Sequence, residues 1–159
     1  MNVVFLDVDG VLNYSGCREK YGEYLGVDNE CVDRLAQIVF SVSPPAAIVL
    51  TSSWKELWDN QPIKSTEIDP MAKYLVEKLK AKGLHLTDRT EEKNPMLRGL
   101  GIKGWIRKVG DIENWVVLDD EIFTDYESRG IIPHLVKTSF GVGLSDKGVE
   151  KAIKILRGE

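Results

Sequence analysis

The chain has 159 residues, of which 43% are hydrophobic and 29% are charged, and its formal net charge is -4 at pH 7. This composition is that of a soluble globular protein with one core, and no segment is long and apolar enough to span a membrane. The acidic balance argues against non-specific coating of nucleic acid, although a local basic groove is compatible with it. Because Asn2 begins an apolar run without signal-peptide features, we expect a cytoplasmic protein.

Apolar runs with helical segments between most of them predict a parallel sheet covered by helices. The five predicted strands are residues 3–6, 46–50, 84–86, 115–118 and 134–136.

Helical periodicity predicts four helices. The first follows Asp28 or Asn29 as its N-cap, the second begins at Asp69 before Pro70, and the fourth follows Ser145. The third carries an apolar stripe of Ile102, Trp105, Ile106 and Val109. Two segments, 13–27 and 54–67, are irregular, and we expect the first to form a flap.

The motif D-x-D-G follows the first predicted strand and sets two carboxylates two residues apart. Asp7, held at the strand tip, has the chemistry of a nucleophile that attacks phosphorus. Asp9 lies next to Gly10, whose backbone is flexible, and it can give and later take a proton. By itself the motif is also that of an ordinary surface turn.

Other polar residues follow the second and fourth predicted strands. Thr51 offers a hydroxyl, and the turn after it offers backbone N–H groups to a phosphate if Ser52 or the next serine opens a helix. Asp119 and Asp120, together with Asp7, form a hard oxygen site suited to magnesium. Since the carboxyl ends of parallel strands meet at one edge, these side chains are predicted to converge.

These residues resemble the four motifs of the haloacid dehalogenase (HAD) superfamily of phosphatases. The runs FLDVDGVLN, VLTSSW, RGLGIKGWI, VVLDDE and HLVKTSFGVGLS more narrowly resemble the capless HAD domain of Swiss Army Knife RNA repair proteins. The resemblance implies an aspartyl-phosphate mechanism, with Asp7 as nucleophile, Asp9 as acid and then base, and Thr51 holding the phosphoryl oxygens. It also implies Mg²⁺ held by Asp7, the Asp9 carbonyl and Asp120, with Asp119 assisting.

One of the four motifs is a Lys or Arg on a helix, and in this chain that residue is either Arg98 or Lys103. Arg98 continues the stripe of Ile102, Trp105 and Val109 backwards by four residues, so it is expected to face the sheet. Lys103 is rotated by about 100° from that stripe and is expected to point away. We therefore assign the phosphoryl contact to Arg98.

Several aromatic residues have ordinary structural interpretations. Trp54 and Trp58 lie one turn apart and are predicted to pack rather than to stack on a base. His134 is predicted to be a structural histidine. The flap tyrosines at positions 14, 21 and 24 fit either substrate contact or a local cluster.

We therefore predict an α/β fold, a Rossmann-like three-layer sandwich with a central parallel sheet, HAD-like and without a large cap domain, formed by residues 1–159. The predicted activity is magnesium-dependent phosphomonoester hydrolysis. Nucleic-acid phosphate ends are candidate substrates, since an uncapped site is open, with basic residues of 98–108 and the flap tyrosines as candidate contacts. The alternatives are a small-metabolite phosphatase and a non-catalytic phospho-acceptor or regulatory module. No membrane or obligate protein partner is expected.

Overall fold

The computed structural model describes residues 1–159. Its seven strands are β1 (Asn2–Leu6), β2 (Lys20–Tyr21), β3 (Tyr24–Leu25), β4 (Ala47–Leu50), β5 (Asp88–Arg89), β6 (Asn114–Asp119) and β7 (Leu135–Lys137). Five of them form one parallel sheet in the order β5-β4-β1-β6-β7, and β2 and β3 form a separate antiparallel hairpin within the predicted flap.

The fold has four α-helices: α1 (Asn29–Val39), α2 (Pro70–Lys80) and α3 (Arg98–Val109) lie between strands, and α4 (Asp146–Leu156) follows β7. The carboxylates of Asp28 and Asp69 and the hydroxyl of Ser145 accept hydrogen bonds from the first turns of α1, α2 and α4, which confirms the predicted caps. Two short 3-10 helices span Ser53–Trp58 and Ile132–His134. None of the helices is both long and apolar enough to cross a membrane.

Both faces of the sheet are covered, so its central strands are apolar on both sides. In β1, Val4 and Leu6 pack with α1, α2 and α4 in the larger core, whereas Val3 and Phe5 pack with α3 in the smaller one. This arrangement confirms the predicted three-layer α/β fold.

The third predicted strand was wrong. Leu84 and Leu86 are buried and His85 is exposed, which gives the alternation of a strand, but these residues lie before the sheet. The chain joins β4 only when Thr87 N donates to the carbonyl of Ile48 at 2.8 Å, and β5 follows. Alternating burial therefore arose here from packing without strand pairing.

One strand boundary and the burial of one helix residue also differ from the prediction. His134 ends a 3-10 helix, and β7 begins one residue later, at Leu135. Val109, predicted to face the sheet, is 43% exposed because it is the last residue of α3 and lies beyond the core that buries Ile102 and Trp105.

Candidate active site

Strand register brings three of the predicted site residues side by side. Leu6 pairs with Leu50 in β4 and with Leu118 in β6, so the residues that follow, Asp7, Thr51 and Asp119, are neighbours at the carboxyl edge. Asp7 N donates to Leu118 O at 3.0 Å, and Thr51 N donates to Leu6 O at 2.8 Å. Side-chain alternation puts all three on the face that α3 covers.

Arg98, the first residue of α3, reaches both aspartates. Its Nη1 lies 2.8 Å from Asp119 Oδ2 and 3.3 Å from Asp7 Oδ1. The guanidinium carbon also lies 4.2 Å from the centroid of the Phe123 ring, a cation–π distance. Burial alone would lower the pKa of Arg98, but Asp7 and Asp119 raise it.

Lys103 lies elsewhere. Its Nζ is 5.6 Å from the ring centroid of Trp115, near the beginning of β6 and away from the carboxyl edge. Of the two candidate basic residues, the structure therefore brings only Arg98 to the aspartates.

The start of α3 is fixed by Asp125, which the sequence analysis did not identify. The helix has no side-chain cap of its own, since Leu97 precedes it. Instead, the Asp125 carboxylate accepts from Gly99 N at 3.0 Å and from Leu100 N at 2.7 Å, and Arg129 Nε donates to it at 2.9 Å. These bonds satisfy helix N–H groups from outside the helix and so position Arg98.

The carboxylates of Asp7, Asp119 and Asp120 form a compact acidic cluster, with one oxygen of each within 4.8 Å of the others. Burial and then the charge of Asp119 raise the pKa of Asp7, and Arg98 opposes them. Burial and Asp119 likewise raise the pKa of Asp120. Three carboxylates face one guanidinium, so a bound cation would relieve the excess negative charge.

The three aspartates differ in how many lone pairs they keep. Asp119 Oδ2 already accepts from Arg98 and from the Tyr126 hydroxyl at 2.8 Å, and its Oδ1 accepts from Glu121 N at 3.0 Å. Burial, followed by the charge of Asp119, raises the pKa of Tyr126, so this hydroxyl stays a donor. Asp7 and Asp120 are therefore the side chains best able to hold a hard cation, with Asp119 held in place beside them.

Asp9 stands apart from this cluster. Asn13 Nδ2 donates to its Oδ1 at 2.9 Å, and the indole Nε1 of Trp54 donates to its Oδ2 at 3.1 Å. Asn13 also accepts from Gly10 N at 2.9 Å, which holds the turn together. The Asp9 residue is exposed, so its side chain is oriented but accessible, and this side chain is not part of the acidic cluster. The predicted metal contact of the Asp9 carbonyl stays a prediction.

Trp54 is buried as predicted, but packing was an incomplete account of it because it also donates to Asp9. Trp58 is buried and donates to the Ile63 carbonyl at 2.9 Å. A sequence signal existed for Asn13, which lies four residues after Asp9 and can bond back to the turn. Nothing in the sequence marked the pairing of Trp54 with Asp9.

Thr51 has a buried hydroxyl that makes no hydrogen bond within the chain. A buried hydroxyl without a hydrogen-bond partner lowers the stability of the fold unless a ligand supplies that partner. Ser52, its neighbour, uses its hydroxyl oxygen to accept from Trp54 N at 3.1 Å and so caps the short helix Ser53–Trp58, as the sequence allowed. The predicted phosphate contact of Ser52 remains a prediction.

Gly10 passes unusually close to Asp120. Its φ is +82°, and a Cβ at this position would lie 2.7 Å from the Cβ of Asp120. Thr138 Oγ1 donates to the Gly10 carbonyl at 2.6 Å. The sharp turn at the end of the D-x-D-G motif therefore needs a glycine, because a side chain at this position would overlap Asp120.

Another cation, Lys55, lies near the site but is already paired. Its Nζ is 2.7 Å from Glu92 Oε1 and 3.2 Å from Thr90 Oγ1. Burial lowers the pKa of Lys55, and Glu92 opposes that change. Arg98 is the better-placed cation for an anion at Asp7, because it contacts Asp7 directly at 3.3 Å whereas Lys55 is held by Glu92 and Thr90.

Comparison with known proteins agrees with this geometry. A family model described as the HAD domain in Swiss Army Knife RNA repair proteins matches residues 3–149. No curated protein and no solved structure matches the chain. The HAD family suggests a hydrolase of the phosphatase type. With this match over most of its length, the chain belongs to the family of HAD domains in Swiss Army Knife RNA repair proteins.

Proposed function

We propose that the protein is a phosphatase that hydrolyses phosphomonoesters through an aspartyl-phosphate formed on Asp7. The observation that carries the proposal is the contact of Arg98 with Asp7 at 3.3 Å beside the unpaired hydroxyl of Thr51. A carboxylate nucleophile, a cation and a free donor thus surround one place where a phosphoryl group fits.

In the first step, a carboxylate oxygen of Asp7 attacks phosphorus, and the bond between phosphorus and the leaving oxygen breaks. Asp9, in its protonated form, gives its proton to that oxygen, which departs as an alcohol. Arg98 and the Thr51 hydroxyl bind the phosphoryl oxygens and offset their charge. The hydrogen bonds from Asn13 and Trp54 keep the Asp9 carboxyl in one orientation.

In the second step, Asp9 takes a proton from water, and the water oxygen attacks phosphorus. The bond between phosphorus and the Asp7 oxygen breaks, so inorganic phosphate leaves and the Asp7 carboxylate is restored. Asp9 is again protonated and ready for the next cycle. Exposure lets the Asp9 carboxyl reach both the leaving oxygen and the attacking water, and its two hydrogen bonds fix its orientation.

We further propose that Asp7 and Asp120, with the Asp9 carbonyl, hold Mg²⁺, which would supply charge neutralisation for a phosphate dianion. The acidic cluster fits a hard cation because its ligands are carboxylate oxygens, and Asp119 is fixed beside it by Arg98 and Tyr126.

The proposed substrate class is a nucleic-acid phosphate end, with a small phosphometabolite as the alternative. The family description refers to RNA repair proteins, and no cap domain covers the carboxyl edge of the sheet. Of the basic residues in 98–108, Arg98 reaches the site, whereas Lys103 lies against Trp115.

Purified protein assayed with an aryl phosphate tests the catalytic proposal. Asp7→Asn should abolish turnover, and Asp9→Asn should reduce it by about 10²- to 10⁴-fold, the usual contribution of a general acid–base. The matched control is Asp33→Asn, since Asp33 is an exposed aspartate on α1. A tenth of the wild-type rate in Asp7→Asn would exclude Asp7 as nucleophile.

The same assay tests the metal and the rival function. Removal of divalent cations with EDTA should stop turnover, and added Mg²⁺ should restore it; full activity in metal-free buffer would contradict the metal proposal. Stable labelling of Asp7 by a phosphodonor, without turnover of any phosphomonoester, would support a regulatory module instead.

A further inference from the structure

We propose that a groove beside Asp9 binds the base of the nucleoside that carries the phosphate; this rests on the phosphatase function proposed above. The groove has a volume of about 330 Å³ and is lined by Asp9, Tyr24, Leu25, Trp54, Met71 and Phe140. Asp9 is its only charged residue, and three of the other five are aromatic.

The aromatic walls come from separate parts of the fold. Trp54 is buried and belongs to the short helix after β4, whereas Tyr24 lies in the β2–β3 hairpin and is 67% exposed. Phe140 follows β7 and is 45% exposed. Ser15 N donates to the Phe140 carbonyl at 2.8 Å, so the segment that carries the hairpin is tied to the loop of Phe140.

The groove lies on the leaving-group side of the proposed reaction. A general acid must come within hydrogen-bond reach of the oxygen that it protonates, about 2.6–3.2 Å. The group attached to that oxygen is therefore next to Asp9, which is itself part of the groove wall. The phosphoryl group belongs on the other side, with Arg98 and Thr51, since the groove contains no cation.

A flat aromatic ring fits this lining better than a sugar or a charged chain. Exposed Tyr and Phe rings offer faces for stacking, which typically contributes about 5- to 150-fold in binding for each base. The volume of about 330 Å³ is at the low end of the ~300–1,000 Å³ common for small-molecule sites. The groove therefore takes one base, and a longer strand would have to continue outside it.

The test compares a nucleoside 5′-monophosphate with ribose 5-phosphate, which has the same sugar and phosphate but no base. For the wild-type protein, we expect kcat/KM to be higher for the nucleotide by about 10-fold or more, in line with stacking of one base. Tyr24→Ala and Phe140→Ala should each bring this ratio closer to one. Phe40→Ala is the matched control, because Phe40 is 52% exposed but lies at the end of α1 and outside the groove.

The failures of the two proposals are distinguishable. If both substrates are turned over with nearly equal kcat/KM, the base site is overturned and the phosphatase proposal stands. The same holds if Tyr24→Ala and Phe140→Ala leave the ratio of the two kcat/KM values unchanged. If neither substrate is turned over, the aryl phosphate assay decides the phosphatase proposal, and a binding measurement decides the base site.

In that binding measurement, adenosine is added to ¹⁵N-labelled protein and the indole N–H resonance of Trp54 is followed. A saturable shift that is weakened in Tyr24→Ala and Phe140→Ala supports the base site. Absence of a shift, or the same shift in all variants, rejects it.

Discussion

The indole Nε1 of Trp54 donates a hydrogen bond to Asp9 Oδ2 at 3.1 Å, although the two residues are 45 positions apart. This bond joins the turn after β1 to the short helix after β4. Because the Trp54 ring also lines the groove beside Asp9, one side chain both orients the proposed acid and contacts the proposed leaving-group site.

Trp54→Phe removes this donor and keeps an aromatic ring. We expect kcat to fall by up to about 10-fold, which corresponds to losing one hydrogen bond of about 0.5–1.5 kcal/mol. The loss should be larger for alkyl phosphates than for aryl phosphates, because poor leaving groups depend more on the general acid. Trp58→Phe is the control, since its indole donates to the Ile63 carbonyl instead. Equal losses with both substrate classes would contradict an effect through Asp9.

Arg98→Ala should reduce kcat/KM far more than Lys103→Ala. Arg98 contacts Asp7 and Asp119, whereas Lys103 lies over the Trp115 ring. Loss of a donor to a transition-state oxyanion typically costs about 10²- to 10³-fold. Steady-state kinetics of the two purified variants, with thermal unfolding to show that both are folded, decide the ranking. The reverse order would mean that α3 is oriented differently in the working enzyme.

Asp125→Ala should lower both stability and activity. The Asp125 carboxylate accepts from Gly99 N and Leu100 N, so its loss leaves the first turn of α3 without a cap and Arg98 without its support. A lost cap costs about 0.5–2 kcal/mol in the free energy of unfolding.

Ser145→Ala is the matched control for Asp125→Ala, because it removes a cap from α4, which supplies none of the proposed catalytic residues. Urea unfolding should show a loss in both variants, larger in Asp125→Ala because its carboxylate also binds Arg129, and only Asp125→Ala should lose turnover. Full activity in Asp125→Ala would show that Arg98 keeps its place without this cap.

Gly10→Ala should be far more damaging than Gly22→Ala. Both glycines have positive φ, +82° and +62°, so each substitution carries the cost of a left-handed backbone, roughly 1–2 kcal/mol. Only at Gly10 would the new methyl group also overlap the Asp120 side chain, since nothing lies within 4 Å of a Cβ at Gly22. Urea unfolding and phosphatase assays of both variants separate backbone strain from displacement of Asp120. Similar behaviour of the two variants would rule out the close approach as the cause.

The parts of the fold that follow from repeated apolar patterning could be predicted from the sequence. The central strands β1, β4 and β6 are buried on both faces. The polar residues at their carboxyl ends, Asp7, Thr51 and Asp119, indicated the position of the candidate active site. Local capping signals at Asp28, Asp69 and Ser145 identified three helix starts correctly. Such signals depend on residues close in sequence, and a single chain displays them directly.

Contacts between distant segments could not be read in the same way. The partners of Asp9 and the cap of α3 come from Trp54 and Asp125, whose positions depend on how loops pack above the sheet. At Leu84 and Leu86 the sequence predicted a strand that the structure does not have there. Alternating apolar residues indicate burial, but they do not show which backbone groups form hydrogen bonds.

His134 supports a pH prediction that is independent of the acidic site. Its ring stacks on Trp115, with centroids 3.6 Å apart and planes 9° from parallel, and its Nδ1 lies 2.9 Å from the Trp115 carbonyl oxygen. Burial lowers the pKa of His134, the hydrogen bond to Trp115 opposes this, and the charge of Lys103 lowers the pKa further.

A lowered pKa in the folded state means that the unfolded chain binds the proton more tightly. The contribution of His134 to the free energy of unfolding is therefore complete above the unfolded pKa of about 6.5 and is lost as pH falls towards and through the folded value. Urea midpoints measured between pH 5 and 7.5 should fall less steeply towards low pH in His134→Gln than in the wild-type protein. His85→Gln, a change at an exposed histidine outside the strands, is the control and should keep the wild-type slope. The same slope in His134→Gln and wild type would contradict the burial of a neutral imidazole against Trp115.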